Sequence, residues 1–236
     1  MNYLSSEGIS VYDGTKHVVV KLQLIAIQGD NLGLNEVFGF TKSFKTNYYC
    51  RICKSTLKEM PEMSTEDKSK IRTEKSYNQD VKKKDSSATG IEEECPFHEI
   101  LNFHITRNFS LDVLHDYLEG VCSYVVCKVL KSLIFEKKLF KLFTLNNRIQ
   151  NFDYRFRNTN KPPKMTLERL KNYQTFEMSA AETLCLVRYL QLIIGDLVDD
   201  NDEHFQLLKL SRQILDILDC KWVQRSQEKY FEDLIK

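Results

Sequence analysis

Three stations along this chain carry side chains that could do chemistry. Asp30 closes the apolar run His17 to Gly29, and a carboxylate at the exit of a strand can hold a hard divalent cation such as magnesium. Cys50-x-x-Cys53 follows twenty residues later with the spacing of a zinc knuckle, whose thiolates need partners from farther along the chain to complete a tetrahedron. Asp112, His115, Asp116 and Glu119 then fall at i, i+3, i+4 and i+7, which on an α-helix is one face carrying a histidine among acids. Separated acidic and metal-binding stations of this kind point to polynucleotidyl chemistry. Each has a plainer reading: a Gly-Asp-Asn turn at Asp30, small buried hydrophobes at the cysteines, and a helix start capped by Ser110.

The elements expected to position these residues follow from periodicity. Residues 17 to 28 are rich in Val, Ile and Leu and read as a strand buried on both faces. The stretch from Leu57 to Glu94 is dominated by Lys, Glu, Ser, Asp and Thr, a composition that predicts a disordered charged loop. Apolar residues at three- and four-residue steps predict helices over 111–133, 139–152, 179–197 and 204–218, with Pro162 and Pro163 interrupting them. The expected fold class is α+β, mostly α. Its divisions are 1–56, a strand segment with the cysteine knuckle; 57–94, the loop; and 95–236, a helical domain. One strand cannot satisfy its own ladder hydrogen bonds, so the chain reads as part of something larger or as one half of a pair of copies.

Bulk properties narrow the classes. A formal charge of +1 gives no global basic field, so any DNA contact must be local. Candidates are Arg148, Arg155 and Arg157, interleaved with Phe152, Tyr154 and Phe156, while Lys82-Lys83-Lys84 has the look of a nuclear-import patch. Seven scattered cysteines predict a reducing compartment, nuclear or cytoplasmic, and no apolar run is long enough to span a bilayer. Nucleophile elbows and Walker loops are absent from the sequence, so no small-molecule substrate is expected.

An ordered set of short segments resembles the CACTA/EnSpm-type DDE/D transposases and the animal proteins derived from them. The set comprises Gly29-Asp30-Asn31-Leu32-Gly33-Leu34-Asn35, Gly39-Phe40-x-x-Ser43-Phe44, Asn47-Tyr48-Tyr49-Cys50-Arg51-x-Cys53, Phe103-His104 and Asp112-x-x-His115-Asp116-x-x-Glu119-Gly120-Val121. It continues through Leu145-Asn146-x-Arg148, Asn160-Lys161-Pro162-Pro163, Met178-Ser179-Ala180-x-Glu182 and Ile194-Gly195-Asp196-Leu197-Val198. The resemblance implies a partial RNase H-like core, with few strands near the N-terminus and a large helical insertion. It makes Asp30 the second catalytic carboxylate, a magnesium ligand. The family's first and last acids match regions before Met1 and after Lys236, so the expectation is a remnant that does not cleave DNA alone. Cys50 and Cys53 match the family's zinc-binding thiolates. Their completing ligands are sought among His115, His104, His98 and Cys95, with His115 favoured and Asp112 orienting its imidazole. The alternative is a non-enzymatic DNA- or protein-binding helical module of a domesticated transposon gene, alone or as a homo-oligomer.

Overall fold

A computed structural model describes residues 1–155, 160–220, 224 and 226–234. The chain divides into two compact units, Met1–Asp112 and Val113–Lys236, each with its own hydrophobic core. It is mostly helical, and among the described residues the one sheet is an antiparallel pair.

The first unit opens with helix α1 (Asn2–Ser6) and a hairpin of β1 (Ile9–Tyr12) and β2 (His17–Val20), in register Ile9 with Val20 and Tyr12 with His17. The expected strand over residues 17–28, buried on both faces, is therefore corrected. Pairing stops at Val20, and Val19, Leu22 and Ile25 are exposed. A run of Val, Ile and Leu becomes an interior strand only where neighbouring strands cover both its faces, and here β1 supplies four residues on one side. Leu24 and Ile27 still pack against the unit's core, and Ile27 makes one parallel bridge to Phe109.

That core consists of Leu34, Phe38, Phe40, Tyr77, Ile91, Cys95, Phe103 and Ile105. Helix α2 (Asn31–Val37) contributes Leu34, and Phe38 follows at its C-cap. Gly39, at φ 76°, then turns the chain where any Cβ would run into the carbonyl oxygen of Glu93. Residues 57–94 are ordered, against the composition: α3 (Glu74–Lys83) and the single turn α4 (Ser86–Thr89) lie there, with Tyr77 wholly buried. Local capping replaces apolar content. Thr73 Oγ1 accepts the Ser76 N–H at 3.2 Å and Ser76 Oγ accepts the Thr73 N–H at 2.9 Å, while Asp85 accepts from Ser87 and Ala88. Because Cys95, Phe103 and Ile105 belong to this core, the first unit extends to Asp112 rather than ending before residue 95.

The second unit is all helix. One continuous helical run spans Val113 to Glu136: π-wound over Val113–Cys122, regular in α5 (Ser123–Lys131), π-wound again over Ser132–Glu136. It is followed by α6 (Leu142–Asn151), α7 (Leu167–Asn172), α8 (Ala180–Ile194), α9 (Glu203–Leu218) and α10 (Ser226–Leu234). Here periodicity located the elements well. The Met178-Ser179-Ala180-x-Glu182 segment proves to be a capping box, with Ser179 Oγ accepting from the Glu182 N–H and the Glu182 carboxylate accepting from the Ser179 N–H at 2.8 Å. Leu186, Val187, Leu190, Ile193 and Ile194 on α8 face the core beside Leu130, Leu145, Ile149 and Leu208. Leu190 has no solvent exposure, so Leu190→Ala is expected to cost about 2 to 5 kcal/mol, read as a lower urea midpoint for this unit with an unchanged slope. No helix among the described residues is long and apolar enough to cross a membrane.

Candidate functional site

Chain segments distant in sequence meet at the first turn of α2. Asp30 is its N-cap, its Oδ1 accepting the Gly33 N–H at 2.7 Å. Asp112 Oδ2 accepts the Asn31 N–H at 2.9 Å, from 81 positions away. Arg51, buried to 7% exposure, donates to Asn31 Oδ1 at 2.8 Å and to the Ser110 carbonyl at 2.9 Å. Two carboxylates and a guanidinium thus converge on one short helix start. Asp30 is exposed and Asp112 is 5% exposed, so the pair offers one solvent-facing and one buried carboxylate. Magnesium is commonly held by one or two carboxylates together with the substrate's phosphates, and Asp30 and Asp112 are the two carboxylates bonded to this helix start. Two-metal cleavage needs more carboxylate than these two residues supply.

Beside this cluster, residues 50–54 run antiparallel to 70–72, through Lys54 N–H to the Lys70 carbonyl at 2.8 Å and Arg72 N–H to the Ile52 carbonyl at 2.9 Å. The Cys50 sulfur accepts the N–H groups of Ile52 and Cys53 at 3.3 and 3.4 Å, the curl expected of a C-x-x-C knuckle. The neighbouring Cys50 thiol, with Ser55 and the Arg72 guanidinium, holds Cys53 below the usual thiol range; the Cys53 sulfur and burial hold Cys50 above it. Arg72 itself is 2% exposed, with Nε on the Cys50 carbonyl at 3.1 Å, an NH2 on the Thr89 carbonyl at 2.7 Å and Phe40 under its plane. Asp80, 3% exposed, lies 3.7 Å from Arg72 and accepts from Lys83 at 2.6 Å.

For zinc, the two sulfurs are half of a tetrahedral set. His115 lies in the second unit, and among the described residues no three His, Cys, Asp or Glu side chains are grouped closely enough to hold a metal ion. His98 and His104, the other candidates, instead stack on each other with ring centroids 4.0 Å apart, both edge-on to Tyr77. Parallel stacked imidazoles aim their lone pairs side by side rather than at one point. His98 Nε2 accepts the Ile105 N–H at 3.2 Å and His104 Nδ1 meets the Thr106 hydroxyl at 2.8 Å. Burial, reinforced by neighbouring His98, lowers His104 to about 4; burial also lowers His98. Cys95 is core, its N–H donating to the Tyr77 hydroxyl.

The remaining expected residues separate. Asp112 stands outside the helix, and from Val113 the winding is π, with bonds spanning five residues, so each residue turns through a smaller angle and the i, i+3, i+4, i+7 stripe opens. His115, Asp116 and Glu119 are exposed. Arg148 ties α6 to α8: its guanidinium forks onto both Asp196 oxygens and reaches the Ile193 carbonyl at 2.9 Å. Arg155 sits at φ 59° in the loop after α6, and Arg157 lies outside the described residues. Sequence reasoning did not single out Arg51, Arg72 or Asp80 as members of a site. Arg51, inside the cysteine motif, had a positional signal, whereas the Arg72 and Asp80 pairing across a turn had none. No family model, curated protein or solved structure matches this chain.

Proposed function

We propose that the chain is a transposase-derived protein, the remnant of a DDE/D-type DNA transposase catalytic core, which contacts DNA phosphates without cutting the strand by itself. The observation that carries this reading is the meeting of three of the resembling segments, through Asp30 and Asn31, Arg51, and Asp112, at one helix start. Segments bearing acids tens of residues apart that share hydrogen bonds at one point fit a common ancestral site better than independent turns. An RNase H-like ancestry for the first unit belongs to the same reading; the alternative is a non-enzymatic DNA- or protein-binding role for the helical unit. The carboxylate count limits the chemistry: Asp30 and Asp112 would be the residues to hold a magnesium ion, which when bound would supply positive charge for a DNA phosphate. Arg51 holds the same helix start from the buried side, through Asn31 and the Ser110 carbonyl.

The test is fluorescence anisotropy with a labelled DNA duplex in magnesium or in chelator, alongside a supercoiled-plasmid nicking assay. Binding in magnesium roughly tenfold tighter than in chelator is expected, with Asp30→Asn removing most of that difference, and no nicking by any form. Nicking that Asp30→Asn abolishes would replace the remnant with a competent nuclease. Equal, weak binding in all conditions would remove DNA from the reading.

A further inference from the structure

We propose that Cys50 and Cys53 form a redox-active dithiol that exchanges with small-molecule disulfides and closes to an intramolecular disulfide. This goes beyond the DNA reading and does not depend on it. Four observations carry it. The knuckle curls the backbone around the Cys50 sulfur, with the N–H groups of Ile52 and Cys53 on it, and the two thiols are near enough to perturb each other. The loop is pinned to residues 70–72 by the two backbone bonds and a bridge between Cys53 and Ile71, so the sulfurs are held together rather than meeting by chance. A buried cation, Arg72, is anchored on the Cys50 carbonyl, within electrostatic reach of Cys53. Both cysteines are half-buried and reachable, whereas Cys95, Cys122, Cys127 and Cys185 are buried and Cys220 is exposed but alone.

With glutathione disulfide as oxidant the chemistry balances in two exchanges. The Cys53 thiolate attacks one glutathione sulfur; the glutathione S–S bond breaks, a Cys53–glutathione bond forms, and one glutathione leaves as thiolate and takes up a proton. Cys50 loses its proton to solvent and attacks the Cys53 sulfur. The mixed disulfide breaks, the Cys50–Cys53 bond forms, and the second glutathione leaves and is protonated. Two protein thiols are oxidised and one glutathione disulfide is reduced to two thiols. The same steps balance with the two cysteines exchanged.

The experiment equilibrates the full chain in glutathione buffers of graded ratio, traps free thiols by alkylation, and maps them by mass spectrometry, with zinc measured on the same samples. The expected result is one two-electron transition producing the Cys50–Cys53 link while the four buried cysteines stay alkylatable only after unfolding. In Cys50→Ser a glutathione adduct should accumulate on Cys53, and in Cys53→Ser on Cys50, in place of the internal link. Thiols that stay reduced at every ratio overturn the proposal. So does one zinc per chain with both thiols unreactive, an outcome that leaves the DNA-binding assay untouched.

Discussion

Asp80→Ala should unfold the first unit at markedly lower denaturant, by about 3 to 5 kcal/mol. Its carboxylate is the acid facing the Arg72 guanidinium, 3.7 Å away, and Lys83 at 2.6 Å and Lys54 at 3.9 Å close on it from outside. Removing it leaves Arg72, at 2% exposure, as a buried cation whose remaining partners are neutral carbonyls. The exposed lysines can turn to water and lose little, whereas Arg72 cannot. Asp80→Asn keeps the shape and removes the charge, so it should fall between wild type and alanine. Segment-resolved hydrogen exchange against urea separates the two units. A loss under about 1 kcal/mol in the first unit would mean that Arg72 is solvated by water the fold admits.

Acidification is expected to weaken the same unit through His104. Its folded pKa of about 4 lies below the ordinary 6.5, because burial and the adjoining His98 ring both oppose a charge there. Above pH 6.5 the imidazole is neutral in folded and unfolded chains alike, and its contribution to stability is intact. As pH falls from there towards 4, the unfolded chain gains a proton that the folded one refuses, and stability declines by at most about 3 kcal/mol. Below the folded value the loss levels off. Glu74 and Glu94 lie near the pair and favour its charge, and Arg107 opposes it, so the two acids temper the decline without reversing it. Urea midpoints taken at about pH 7 and about pH 5, before most carboxylates titrate, should differ in wild type and differ less in His104→Phe, which keeps a ring against Tyr77 but cannot titrate and leaves only the share of His98. A wild-type midpoint indifferent to this change would show the pair hydrated rather than buried.

The helical half of the fold was legible because its determinants are local. Leu186, Leu190 and Ile193 repeat at helical steps, and Ser179 and Glu182 announce where α8 begins. Residues 57–94 were illegible because what orders them is not apolar mass but the Thr73 and Ser76 cap and the contact between Arg72 and Asp80, neither of which composition registers. The strand from His17 was over-read for the opposite reason. Apolar mass was present, but its burial depended on neighbours that the described residues do not supply. At the candidate site, Asp30 and the two cysteines stood out by type and spacing. The partnership of Asp112 with the Asn31 amide could not, since nothing in a sequence of this kind joins positions 81 apart.

The hairpin at the start of the chain carries one more consequence. Ile9, Val11, Tyr12, Val19 and Val20 are all at least 36% exposed, and a two-stranded ribbon leaves both outer edges with unpaired backbone groups. Such a ribbon is sticky in the colloidal sense: its free edges can template cross-β contacts between molecules, and no lysine or proline on either strand guards them. Association at high concentration should therefore begin at these eight residues, none of which belongs to the first unit's core, and a single lysine placed at Val19 would blunt that edge at little cost to that core.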